Sequence, residues 1–213
     1  MRVAGSGVLA ATLAATLFCI TIAGCAADTD PEPTGTGTPG QTDESPAEPA
    51  AEEPVAGFTL SSSAFADGGT IPARYCLESV DGGQNISIPV DWSGAPAGTA
   101  SFVVSMIDTH PVANDWVHWI VIDLPATTTG LPEGASDSAI PDVADELDNT
   151  FGEDRYGGPA PPPGSGDHEY VVTVYALDVA TIAMPEQPSA ADIASAVEGH
   201  VLASVSVTGV FGR

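Results

Sequence analysis

From residue 86 to the C-terminus, short apolar runs alternate with turn-forming residues. Ile86–Trp92, Ser101–Ile107, Val117–Leu124, Tyr170–Asp178 and Leu202–Gly209 are rich in β-branched and aromatic residues, with Gly, Pro, Asp and Ser between them. Runs of this length and composition read as strands. One helix is clear. Ser189 caps it, Asp192 completes a capping box, Ile193 and Val197 share a face, and Gly199 ends it. Ser136–Leu147 is acidic and fits a turn of helix or a surface loop equally well. The pattern predicts a mainly β, mostly antiparallel domain over residues 57–213 with a short C-terminal helix, long enough for one sizeable core.

The first 56 residues differ in kind. Arg2 gives a positive start, Val8–Ala23 is apolar, and Ile22-Ala23-Gly24-Cys25 places small residues before a cysteine. This predicts a signal peptide over residues 1–24 and lipidation of Cys25, against a plain signal peptide or a single membrane helix. Several acyl chains would hold the protein stably where one would not. Residues 26–56 carry Pro, Thr, Gly, Asp and Glu and no aromatic or basic residue. Such a stretch cannot bury enough apolar area to offset chain entropy, so it reads as a disordered acidic tether. The expected location is the cell envelope, at the outer face of the cytoplasmic membrane.

Charge narrows the partners. The formal net charge is −25, with four basic residues, none of them Lys. Nucleic-acid binding needs a basic patch and is excluded. Docking on an anionic membrane by charge is excluded as well, so membrane attachment rests on the lipid. Of the three cysteines, Cys19 leaves with the signal and Cys25 carries lipid. Cys76 remains alone and reads as a small buried residue.

Candidate chemistry gathers in two stretches. Tyr156–Tyr170 holds paired glycines, a proline run, Gly-Ser-Gly, then His168 and Tyr170 at the start of a strand, on one face. Its prolines fix φ and its glycines permit tight turns. Phe102–Leu124 places two strands around a polar loop, with Asp108 at the exit of the first. Simple alternation puts Trp116, His118 and Ile120 on one face of the second, and Val117, Trp119 and Val121 on the other. An Asp and two His at strand ends, with aromatic walls, suit an anion or polar headgroup. A hydrolase reading finds no Gly-x-Ser-x-Gly, and Ser165 fits a turn better than a nucleophile. A metal reading could draw on Asp108, His110, His118 and His168, but no His-x-His or His-Glu-x-x-His spacing is present. No catalytic residue, metal or cofactor is assigned.

These stretches, taken together, resemble the phosphatidylethanolamine-binding protein family, in its bacterial Raf-kinase-inhibitor-like branch. The family's Tyr-x-Gly-Pro-x-Pro-Pro-x-Gly-x-Gly-x-His-x-Tyr is similar to Tyr156–Tyr170, and its Asp-Pro-Asp loop followed by Trp-x-His-Trp is similar to Asp108–Pro111 with Trp116–Trp119. Further likenesses lie at Phe58–Tyr75, Asn85–Trp92, Leu131–Gly134, Asn149–Gly152 and Gly199–Ala203. The resemblance implies two packed sheets with Greek-key antiparallel strands. It implies a pocket lined by Asp108, His118, His168 and Tyr170, with Trp116 as a wall and Pro161 and Pro162 as its rim. The implied ligand is a small anion or phospholipid headgroup. Members are chiefly binding proteins and inhibitors, so modulation of a protease or kinase through the pocket mouth is the first alternative, and a metal-dependent or hydrolytic enzyme the second. Two departures add secondary candidates: His110 stands where the family has its second Asp, and Arg155 precedes the Tyr-Gly-Gly-Pro motif.

Overall fold

A computed structural model describes residues 57–213. The expected signal peptide, Cys25 and the expected tether lie outside the described residues. Nine strands run in chain order: β1 Thr59–Ser61, β2 Gly69–Thr70, β3 Val90–Ser93, β4 Ser101–Asp108, β5 Trp116–Pro125, β6 Gly130–Leu131, β7 Asp145–Glu146, β8 Asp167–Leu177 and β9 Val201–Gly212. Helix α1 is one turn, Ala135–Ser138, and α2 spans Ala190–Val197. The strands form two sheets, ordered β1-β3-β6 and β2-β9-β8-β4-β5-β7. Pairing is antiparallel except where β2 runs parallel to β9.

The expected mainly β, two-sheet architecture is the one observed, with strand limits shifted. Only Val90–Trp92 of the first run enters a sheet, and the strand continues to Ser93. The last two strands reach further, to Asp167 and to Gly212. The acidic segment between Ser136 and Leu147 resolves into the turn α1 and the two-residue strand β7. The predicted helix forms with its capping box: Asp192 N donates to Ser189 Oγ at 3.2 Å and Ser189 N donates to Asp192 Oδ2 at 2.9 Å. Such a cap contributes about 1 kcal/mol.

Two apolar clusters flank the large sheet. Phe102, Val104, Met106, Trp119, Val121, Tyr170, Val172 and Val174 pack towards the small sheet, where Trp92 meets Phe102 edge-on at 5.4 Å. Val103, Val117, Ile120, Ile122 and Leu177 pack under Ile193 and Val197 of α2. This partition corrects the alternation expected for β5. Val117 shares its face with Ile120, not with Trp119 and Val121. The reason is a β-bulge. Met106 pairs with Trp119 and Ile107 with Val117, which leaves His118 as the extra residue. A second irregularity, between Phe102–Leu124 and Val104–Val121, contains Asp123 at φ 58.

Candidate anion site at the end of the large sheet

The bulge positions the site. An extra residue has no ladder partner, so its backbone groups must be satisfied elsewhere. Gly157 N–H donates to the His118 carbonyl at 2.8 Å, and His118 Nδ1 donates back to the Gly157 carbonyl at 2.5 Å. The Gly/Pro loop is thereby docked on β5. It is tied on its other side as well: Gly158 N–H donates to Asn85 Oδ1 at 2.7 Å and Leu77 N–H to the Pro159 carbonyl at 3.2 Å. Gly158 must be glycine here, because a Cβ would come within 2.2 Å of the Tyr75 carbonyl oxygen.

β4 and β8 supply the other groups. Asp108 is the last residue of β4 and pairs with Tyr170 on β8, with His168 two residues earlier on the same face. Asp108 Oδ2 accepts from His168 Nδ1 at 2.6 Å, and Oδ1 accepts from the His110 backbone N–H at 2.9 Å. His168 Nε2 lies 2.9 Å from Ser165 Oγ. The Asp–His–Ser line has the connectivity of a hydrolase triad, but Ser165 donates its only proton to the Pro162 carbonyl at 2.7 Å. Ser165 therefore serves the turn and does not line the cavity.

The cavity measures about 220 Å³. It brings together Asp108, Trp116, His118, Pro161, Pro162, His168 and Tyr170. Sequence reasoning missed Val112, Ala113, Phe151 and Ala160, which complete its lining. Phe151 stands in the Asn149–Gly152 motif, where the buried Asn149 organises the turn: its Oδ1 accepts from Phe151 N–H at 2.8 Å and its Nδ2 donates to the Arg155 carbonyl at 2.7 Å. Neither secondary candidate lines the cavity. His110 stacks on His168 with ring centroids 3.9 Å apart and borders a separate hollow with Thr109, Asp167 and Glu169. Arg155 is exposed and pairs with Glu153 at 2.9 Å. Asn114 and Asp115, in the loop before Trp116, take φ of 53° and 55°, a region these two residue types tolerate.

The polar atoms around this hollow are unevenly satisfied. Tyr170 Oη and Trp116 Nε1 are buried without a hydrogen-bond partner. Tyr170 is near enough to Asp108 for the carboxylate to act on it, short of hydrogen-bond geometry. Its pKa is raised, by burial first and Asp108 second. Burial pushes His118 down to about 4, against the opposing pull of the Gly157 carbonyl and Asp108, so the ring is neutral at ordinary pH. The Cys76 thiol, fully buried, is pushed up to about 12, which leaves it inert as a nucleophile. Among the described residues no group of three or more His, Cys, Asp or Glu is placed to hold a metal.

Comparison with known proteins accords with this geometry. The family model described as "Phosphatidylethanolamine-binding protein" matches residues 61–212. The Escherichia coli UPF0098 protein YbhB is 40% identical, over 71% of this chain and 98% of that protein. A Mycobacterium tuberculosis protein named "Putative lipoprotein LppC" is 32% identical, over 76% of this chain and 74% of its own length. The crystal structure of E. coli YbcL, titled a new member of the mammalian PEBP family, superposes with a TM-score of 0.68 at 30% identity, covering 73% of this chain and 98% of that one. Matched over most of its length by family model, relatives and solved structure, and with its two motif stretches converging on one cavity, the chain belongs to the phosphatidylethanolamine-binding protein family.

Proposed function

We propose that this is an exported, lipid-anchored binding protein whose cavity takes a small anionic ligand of the phospholipid-headgroup kind. The observation that carries this reading is the convergence of Asp108, His118, His168 and Tyr170, from three neighbouring strands, on one hollow. The hollow, about 220 Å³, is below the range of drug-sized pockets and suits a headgroup rather than a whole lipid. Membership of the family and the name of the mycobacterial relative support binding and export respectively. The test is a titration with phosphoethanolamine, followed by the ring signals of His118 and His168. Saturable shifts of both rings support the reading. Unchanged rings at millimolar ligand overturn it.

A second reading has its own observation. Val112 and Phe151, which line the cavity, are 62% and 43% exposed, large apolar side chains that the described residues leave partly uncovered. A rim of this kind fits contact with a partner protein, such as a protease or kinase that the chain modulates. Phosphoethanolamine would then displace the partner, and Phe151→Ser would weaken capture more than it weakens headgroup binding.

A further inference from the structure

We propose that two copies of this chain join edge to edge through β9, continuing the large sheet across a twofold axis at Val205. The contact lies away from the cavity and does not depend on its ligand.

For most of its length β9 is paired on one side only. It spans Val201–Gly212 and runs against β8 throughout, whereas β2 meets it only at Gly209 and Val210. Just before that meeting, Thr208 N–H donates to Asp67 Oδ1 at 2.9 Å and the Thr208 carbonyl accepts from Gly68 N–H at 2.8 Å. The backbone groups of Thr208 therefore point away from β8. Outward groups recur at every second residue of an antiparallel strand, so those of Ser206 and Ser204 point the same way. The register with β8 shifts between Ala176 and Leu177, which ends the alternation at Leu202. The N–H and C=O groups of Ser204 and Ser206 are left on an open edge, and among the described residues nothing bonds them.

Nothing blunts this edge. Natural edges are guarded by a charge, a proline or a bulge. Ala203–Val207 has none of these, and all of β9 lacks a charged residue in a chain that carries 29 acidic ones. The neighbouring run Tyr170–Leu177 is uncharged as well.

A second copy suits the edge because the edge completes itself. Centred on Val205, antiparallel pairing sets Ser204 against Ser206 of the second copy, and Ser206 against Ser204. Each pair exchanges two hydrogen bonds, so every open group finds its partner within the same set. Val205, half-buried against the core, meets its counterpart at the axis, in the closer spacing of a pair without hydrogen bonds. No like charges are opposed. Thr208 lies about 10 Å along the strand from the axis, which sets the two Asp67 carboxylates roughly 20 Å apart. That exceeds twice the Debye length of about 8 Å at physiological ionic strength. Asp67 also stops the pairing at Thr208, so the contact is short and the expected dimer weak, with a Kd of about 0.1 mM.

The experiment is sedimentation equilibrium on the full chain from about 10 μM to about 1 mM, with amide exchange at Ser204 and Ser206 followed by NMR at both limits. A dimer that grows with concentration is expected, and exchange at the two serine amides should slow at least about threefold at the upper limit. Ser206→Pro deletes an outward N–H without touching the β8 ladder, and should weaken the dimer at least about tenfold. Should that variant fail to fold, Ser204→Glu with Ser206→Glu opposes carboxylates across the axis and should have the same effect. A chain carrying Ser204→Lys and Ser206→Lys should then pair with it. A monomer throughout, or a dimer that neither variant weakens, overturns the proposal. Slow exchange at both limits also overturns it, and gives the edge to another segment of the same chain.

Discussion

Tyr170 and Asp108 face the same hollow with opposite consequences for the fold. The Tyr170 hydroxyl is buried and unpartnered. Removing it in Tyr170→Phe takes away a desolvation cost, so stability should hold or rise by up to about 1 kcal/mol while headgroup binding falls, read by urea unfolding and calorimetry on the same sample. Asp108 is bonded to buried His168 and to the His110 amide. Asp108→Ala strands both, and unfolding should be easier by about 3 kcal/mol or more. His118 governs pH dependence. Its ordinary value is 6.5 and its folded value about 4, so the unfolded chain takes up the proton first as pH falls. Its contribution is whole above about pH 6.5 and is lost progressively towards pH 4, by up to about 3 kcal/mol. Urea titrations in phosphate-free buffer should show that slope, and His118→Asn should remove its share.

At the scale of elements, the long strands were legible because β-branched runs bounded by turn residues admit few other readings, and α2 because a capping box is a local signal. The strands β2, β6 and β7 hold two residues each and leave no periodic trace. The facing of β5 was misread for a different cause: alternation presumes an unbroken ladder, and nothing in Trp116–Trp119 announces that one residue stands outside it. The motif residues of the cavity were visible as chemistry-bearing types. Val112, Ala113 and Ala160 were not, since small apolar side chains gain meaning only from where the loops lay them. The other irregularity in β5 gives a direct test. Asp123 sits at φ 58 and its Oδ1 accepts from Ile182 N–H at 3.0 Å. Asp123→Val puts a β-branched side chain in the left-handed region and deletes that bond, so it should lower stability by about 2 kcal/mol in thermal unfolding, while Asp123→Asn should be nearly neutral.

For the whole molecule, the charge of −25 and the near absence of cations leave little to hold the domain on an anionic bilayer. The proposed anchor is therefore decisive for location. Cys25→Ser should move the protein from the membrane fraction to the soluble one, followed by detergent partitioning, with the folded domain unchanged. Protein that stays membrane-bound after this change would remove the lipid from the account.

The bulge in β5 makes a sharper tool available than point substitution. Trp116 and Trp119 already pair with Asp108 and Met106, and Val117 with Ile107, as an ordinary ladder would require were position 118 absent. A chain shortened by that single residue should zip its two strands without a gap, keep both tryptophans where they are, and lose one imidazole together with the clasp that holds the proline loop. It would be a blank of the same outline as the parent, suited to separating what the outline does from what the hollow does.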